Sequence, residues 1–275
     1  FTNGDKPIRN ARVLRRALSY ATSFDALIAH RPEDAHLAEG GVMHEGELAA
    51  RLGLPGIPAV AELIMAERDL ALAELTGGRL LLDMLSSAQT LPSLKRARDR
   101  GVKAYASVNV HHLVLNEQDV DGYRSFAKLS PPLRSEDDRK ALGLGVKDGL
   151  IDVIVSGHDP QQAEDKRLPF EEAAFGAVGL ETLLPGALTL HHNGDAPLTT
   201  LIRAMTMRPA ELLKLPQGRL SKGAPADIIL VDIGAPFRLD SDKLRSKSNN
   251  SPFDEKLLQG VVKRTFIAGK TVFGA

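Results

Sequence analysis

An α/β fold of parallel strands is what these 275 residues predict. Three observations carry that prediction. Apolar runs of buried-strand type alternate with amphipathic helical stretches at βαβ spacing. No strand is followed by a G-x-G-x-x-G loop, which argues against a doubly wound dinucleotide fold and for a β/α barrel. From about Gly218 onward the pattern turns to strand and hairpin. Four or five βα units can be counted, whereas a closed barrel takes eight in roughly 250 residues. The sequence therefore predicts the later part of a (β/α)8 barrel over residues 1–217 and a small accessory β domain over 218–275.

The elements follow from periodicity. "ARVLRRALSYA" (11–21) reads as an amphipathic helix and "DALIAH" (25–30) as a short strand. "IPAVAELIMAERDLALAELTGG" (57–78) is a strong helix, with Pro58 suited to its first turn and Gly77-Gly78 to its end. "RLLLDML" (79–85) is a continuous apolar run of buried-strand type. "SLKRARDRG" (93–101) is helical, "VKAYASVNV" (102–110) a strand, and "SEDDRKALGLGVKDG" (135–149) a helix capped by Ser135. Its charged start reads as a solvated face. "LIDVIV" (150–155) is a strand, and helices are expected around 176–187, 197–206 and 209–214. "GRLSKGAPADIILVD" (218–232) and "VVKRTFIAGKTVF" (261–273) are β-rich, the second a hairpin around Ala268-Gly269, and "RSKSNNSPFDE" (245–255) reads as a polar loop.

Composition narrows the function classes. Lys+Arg and Asp+Glu are 35 each, so charge gives no argument for nucleic acid or a membrane surface as partner. Cysteine is absent, which removes disulfides and thiolate metal sites and is compatible with a reducing cytoplasm, the expected location. No apolar run reaches the roughly 18–20 residues of a membrane span. The first residues, "FTNGDKPIRN", have neither signal-peptide character nor an initiating Met, so the chain is expected to begin partway through its fold. A half barrel leaves strand edges open and is not expected to fold alone.

"VIVSGHDPQQ" (153–162) raises the functional question. An apolar strand breaks into polar chain where a barrel presents catalytic side chains, yet Gly157 stands at the strand end. Together with "GLPGIPAVAELIMAERDLALAELTGGRL", "HHLVLNEQDV", "PPLRSEDDRKAL", "PFEEAAFGAVGLET", "GRLSKGAPADIILVD" and "RSKSNNSPF", it resembles, across the whole chain, the long bacterial dihydroorotases of the amidohydrolase superfamily. That resemblance implies a TIM-type (β/α)8 barrel with a small β domain drawn from both chain ends. It also implies hydrolysis and formation of the cyclic amide of dihydroorotate on one or two zinc ions. The family's H-x-H metal pair would lie upstream of Phe1.

Within the resemblance, the site positions have changed. The family's metal-bridging carboxylate falls at Asn3, or at Gly4 with a one-residue slip. The histidine of its H-[VI]-S-T strand falls at Met84, a thioether poorly suited to zinc among oxygen and nitrogen donors and expected to be plain core packing. Asp83, adjacent on a strand, would face the other way. The aspartate that is both metal ligand and acid/base falls at Gly157. The substrate-contacting Asn and His fall at Ser130 and Gln161. His111, His112, Arg134, His158 and Pro160 remain. His112 best fits the family's remaining ligand histidine and is the weak metal candidate. His30, His36, His44, His191 and His192 read as ordinary surface or loop residues, and Arg134 as structural.

The resemblance thus implies a dihydroorotase-like subunit without catalysis and without a resident cofactor. Inactive relatives of this kind resemble subunits that hold aspartate carbamoyltransferase in a mixed oligomer. The alternative is an active zinc hydrolase of cyclic amides, in which the upstream H-x-H and His112 would have to carry a metal. The expected partners are aspartate carbamoyltransferase and the missing N-terminal part of the same protein.

Overall fold

The computed structural model describes residues 1–4 and 6–274. In chain order, α1 (Ala11–Thr22) leads to β1 (Leu27–His30). A short parallel pair, β2 (Met43–His44) and β3 (Gly56–Ile57), brackets α2 (Glu47–Leu52). Next come α3 (Val60–Thr76), β4 (Arg79–Leu82), α4 (Leu91–Asp99) and β5 (Ala104–Asn109). α5 (Val110–Val114) and α6 (Glu136–Lys147) precede β6 (Val153–Val155). Four helices follow: α7 (Ala163–Arg167), α8 (Leu183–His192), α9 (Leu198–Met205) and α10 (Met207–Leu213). The chain closes with β7 (Ile228–Arg238), β8 (Leu257–Ile267) and β9 (Lys270–Phe273).

β1, β4, β5 and β6 form one parallel sheet in that order, each strand beside the next after a helical crossover. Thr2 extends the arc by a parallel bridge to Ala29 on the far side of β1. Side chains alternate across the strands, as the pleat requires. Ile28, Leu80, Leu82, Ala106, Val108 and Ile154 face the helix layer and pack with Leu14 and Leu18 of α1, Leu70 of α3, Leu94 of α4 and Leu142 of α6. Leu27, Leu81, Tyr105, Val153 and Val155 lie on the opposite, inner face with Leu212. That division between a helix-packed face and an inner face is the geometry of a β/α barrel arc.

β7, β8 and β9 form a separate antiparallel sheet, and its hairpin turns at Ala268 and Gly269, both at positive φ. A second core joins it to the loops beyond the barrel strands. Leu239, Phe253 and Leu258 pack there with Leu115, Leu129, Leu133 and Phe170.

Several expectations are corrected. The helix expected at 176–187 starts only at Leu183. Residues 177–179 are extended instead, because Ala177 and Val178 are committed to backbone bonds with Asp159 and Asn250. The "polar loop" 245–255 buries Asn250, Ser251 and Phe253. Asn250 donates to the carbonyls of Gly176 and Asp159, stitching two loops together. The charged start of α6 is not fully solvated either. Ser135 caps the helix in a capping box with Asp138, and Asp138 is buried, accepting from the Ala88 N–H at 2.7 Å. α2, α5, α7 and the β2–β3 pair were not anticipated; each is six residues or shorter, too brief for a periodic signal.

Candidate functional site

The carboxyl ends of the parallel strands meet at one edge of the sheet, where a barrel carries its chemistry. Alternation makes Arg31, Asn109 and Gly157 the inward positions beyond β1, β5 and β6. Asp83 joins them by accepting from the Ser107 hydroxyl of β5 at 2.6 Å. Arg31 is buried and donates to the Ser130 carbonyl at 3.2 Å. This cation was not singled out in the sequence; the signal was its place one residue past a short apolar strand.

Gly157 has φ +53°, in the left-handed region that favours glycine. A Cβ built there would overlap the side-chain amide of Asn109. The catalytic-looking turn is thus filled from the neighbouring strand. Asn109 is 3% exposed, and its Oδ1 accepts the His111 N–H at 3.0 Å, capping α5.

His112 is fully enclosed. Its Nε2 lies 3.1 Å from the carbonyls of both Pro131 and Pro132, so that nitrogen carries the proton and donates. Burial pushes its pKa down to about 4, against a partial upward pull from the Pro132 and Pro131 carbonyls. His111 stacks on Phe253 with ring centroids 5.3 Å apart. Burial, then the neighbouring His112, push it down to about 3. Both rings are packing elements in this arrangement.

The other sequence-predicted positions are scattered. Asn3 is exposed and donates to the Lys6 carbonyl. Met84 is not core packing: β4 ends at Leu82, and Met84 is half-buried in the turn at φ +54°. The strand argument about Asp83 therefore lapses, since neither residue is on a strand. Ser130 is half-buried and meets Arg31 through its carbonyl rather than its hydroxyl. Gln161 turns to the Asp159 carboxylate at 2.8 Å. His158 accepts the Gly179 N–H through Nδ1 at 3.1 Å and borders a cavity of 270 Å³ with Val178, Leu180, Glu181 and Arg245.

Histidines expected at the surface divide. His36 and His192 are exposed and His191 is half-buried. His30 is buried: Nδ1 donates to Asp69 of α3 at 2.6 Å, and Nε2 accepts the Ile8 N–H at 2.7 Å. The strand alternation that sends Leu82 to the helices sends His30 there too. His44 is half-buried, with Nδ1 accepting from Arg134 at 3.0 Å.

Behind the strand ends lies a buried polar network. Arg134 donates to the Ile57 carbonyl at 2.5 Å and the Ser86 hydroxyl at 3.2 Å. Glu62 of α3 accepts from Ser86 N–H and O–H, Ser87 N–H and Thr90 O–H, at 2.6–3.2 Å. Burial raises the Glu62 carboxyl, while Arg134 and the hydroxyls pull it back. Two lysines were missed as well. Lys166 donates to the carbonyls of Ser125, Lys128 and Ala174, and Lys128 to those of Phe170 and Glu171. Burial, then the Lys128 charge, push Lys166 down to about 8.

The zinc that the resemblance implies can be tested against these donors. Catalytic zinc takes about three protein ligands of His or carboxylate type. Among the described residues, no group of three or more His, Asp and Glu side chains could hold a metal ion. His112 Nε2 is bonded to two carbonyls, Gly157 offers no side chain, and Arg31 brings a cation to the same edge. The residues present do not fit the metal.

A family model described as "Amidohydrolase family" matches residues 78–272. The chain belongs to the amidohydrolase family. Residues 1–90 also match a model described as "Dihydro-orotase-like". This amidohydrolase-family chain is 41% identical over its full length to the dihydroorotase of Ehrlichia canis (strain Jake), spanning 62% of that protein. It is likewise 41% identical to the dihydroorotase of Syntrophus aciditrophicus (strain SB), with 99% of this chain and 64% of that protein covered. The chain thus spans less than two thirds of these relatives. Among solved structures, the L-hydantoinase (dihydropyrimidinase) from Arthrobacter aurescens superposes with TM-score 0.85 at 24% identity, covering 96% of this chain and 61% of that one. The dihydropyrimidinase from Brevibacillus agri NCHU1002 gives 0.85 at 21%, covering 96% and 60%. Such likeness shows the fold class, the α/β fold of TIM-barrel amidohydrolases, whose parallel sheet appears here as the four strands β1, β4, β5 and β6. No helix among the described residues is long and apolar enough to cross a membrane.

Proposed function

We propose that this chain is part of a dihydroorotase-type amidohydrolase that has lost catalysis and serves as a structural subunit of de novo pyrimidine biosynthesis. The observation that carries the reading is the inner end of β6. The position of the family's acid/base is a glycine, and the Asn109 amide fills the space above it. Met84, Asn3, Ser130 and Gln161 add to it, since each stands where the family's chemistry needs another group. Replacing a positioned proton carrier forfeits about 10²–10⁴ in rate, and here metal affinity goes with it. The scaffold meanwhile retains its buried charge network and capped helices, as a subunit kept for its shape would.

In this reading the upstream part of the polypeptide completes the barrel beside Thr2 and β6. The assembled protein joins aspartate carbamoyltransferase in a cytoplasmic oligomer. The test uses the full-length protein, freed of contaminating enzyme. Metal analysis should find less than stoichiometric zinc, and dihydroorotate should not be ring-opened. Sedimentation with aspartate carbamoyltransferase from the same organism should give a mixed complex. Stoichiometric zinc with robust ring opening would overturn the loss of catalysis; separate sedimentation would overturn the assembly role.

A further inference from the structure

We propose that Asn109 is a built-in plug of the turn after β6, so that positions 109 and 157 are coupled and the turn is closed to any inward-pointing ligand group. The register supports this. Asn109 pairs with Val155, both on the inner face, and Gly157 is the next inner position along. A Cβ on Gly157 would overlap the amide nitrogen and carbon of Asn109 and stand 2.7 Å from its Oδ1.

Neither side can step away cheaply. Asn109 is held by its bond to the His111 N–H, and leaving would uncap α5, whose His111 and His112 are wedged against Phe253 and the Pro131 and Pro132 carbonyls. The turn cannot retreat on its other side, because the Ser156 carbonyl lies so close to Gly179 that a Cβ there would overlap it. The glycine is therefore a space requirement of Asn109, and a carboxylate side chain does not fit at position 157 while Asn109 is in place. This inference rests on packing alone and stands apart from the reading of lost catalysis.

A double-mutant cycle in the full-length protein tests it. Gly157→Ala, Asn109→Ala and the double variant are compared by urea denaturation. Gly157→Ala should lower the folding constant by well over the roughly tenfold that a left-handed backbone alone exacts. With Asn109→Ala present, the same change should cost at least about tenfold less, although Asn109→Ala removes a cap by itself. Effects that simply multiply would overturn the plug. A second measurement needs no variant: the Asn109 side-chain amide protons should show nuclear Overhauser contacts to the Gly157 Hα in the native protein. An Asn109 amide without such contacts would overturn the proposal even if Gly157→Ala does not fold.

Discussion

The turns after β4 and β6 lie at the same edge of one sheet and have opposite contents. After β4, Ser86 and Ser87 are buried with Glu62, Asp138 and Arg134, and every carboxylate oxygen there meets a donor. After β6, Gly157 contributes no side chain and a neighbour's amide fills the gap. The first turn keeps costly buried charge because that charge organises loop backbone from three elements. In the second, the inward position carries no charge, and the nearby Asp159 carboxylate is engaged by Gln161. The buried charge of the first turn holds backbone, while the inward position of the second is filled by a neutral amide.

The largest expected effect that could break this comparison lies in the first turn. Arg134→Met should destabilise the full-length protein by about 1–3 kcal/mol in urea denaturation, since it leaves the buried Ile57 carbonyl and Ser86 hydroxyl without their charged donor. A loss under about 1 kcal/mol would show that the network does not hold the loops.

Next comes acid. His111 stays neutral in the folded protein down to about pH 3 and His112 down to about 4, whereas both titrate near 6.5 when unfolded. Between those values the unfolded chain binds more protons, so stability falls as pH falls below 6.5. His111→Phe should remove about 2 kcal/mol of the loss between pH 6.5 and 5, read from denaturation midpoints.

Lys166 works in the alkaline direction. Its folded value of about 8 lies below the usual 10.5, so the native state loses its proton first and stability rises from pH 8 toward 10.5. Against Lys166→Met, the native protein should gain about 1 kcal/mol between pH 8 and 9. A flat difference would mean that the three carbonyls hold the ammonium charged.

The smallest effect sharpens the comparison from the emptied side. Asn3→Asp, at an exposed position, should change stability by less than about 0.5 kcal/mol and bring no zinc, as metal analysis would show. Zinc uptake by that variant would reveal a ligand set at the strand ends that the described residues do not display.

Much of this was legible in the sequence, and the reasons for the rest are specific. The runs at 79–85, 102–110 and 150–155 announced β4, β5 and β6 because strands buried on both faces are continuously apolar. Their extents were overestimated: β4 stops at Leu82 before the polar Asp83, β5 spans only Ala104–Asn109, and β6 begins only at Val153. Gly157 was visible as a glycine just past the end of an apolar strand. Asn109, which fills the space over it, was invisible because it is 48 positions away along the chain and adjacent only across the sheet. The segment 245–255 read as a polar loop because polar composition signals exposure; three-dimensional placement satisfied the Asn250 amide with backbone carbonyls and buried it, as it did the ammonium groups of Lys128 and Lys166.

By itself, the sequence determined the longer strands and helices, because periodicity and caps are local properties of side-chain order. It also put a glycine and a methionine at positions 157 and 84, beside the ends of two apolar strands. Only the tertiary structure decided that His30 turns to Asp69, that His112 gives its Nε2 to two proline carbonyls, and that Asn109 closes the turn over Gly157. The partners in each of those contacts are brought together by strand register and loop packing, and neither is encoded in the short-range pattern around the residue itself.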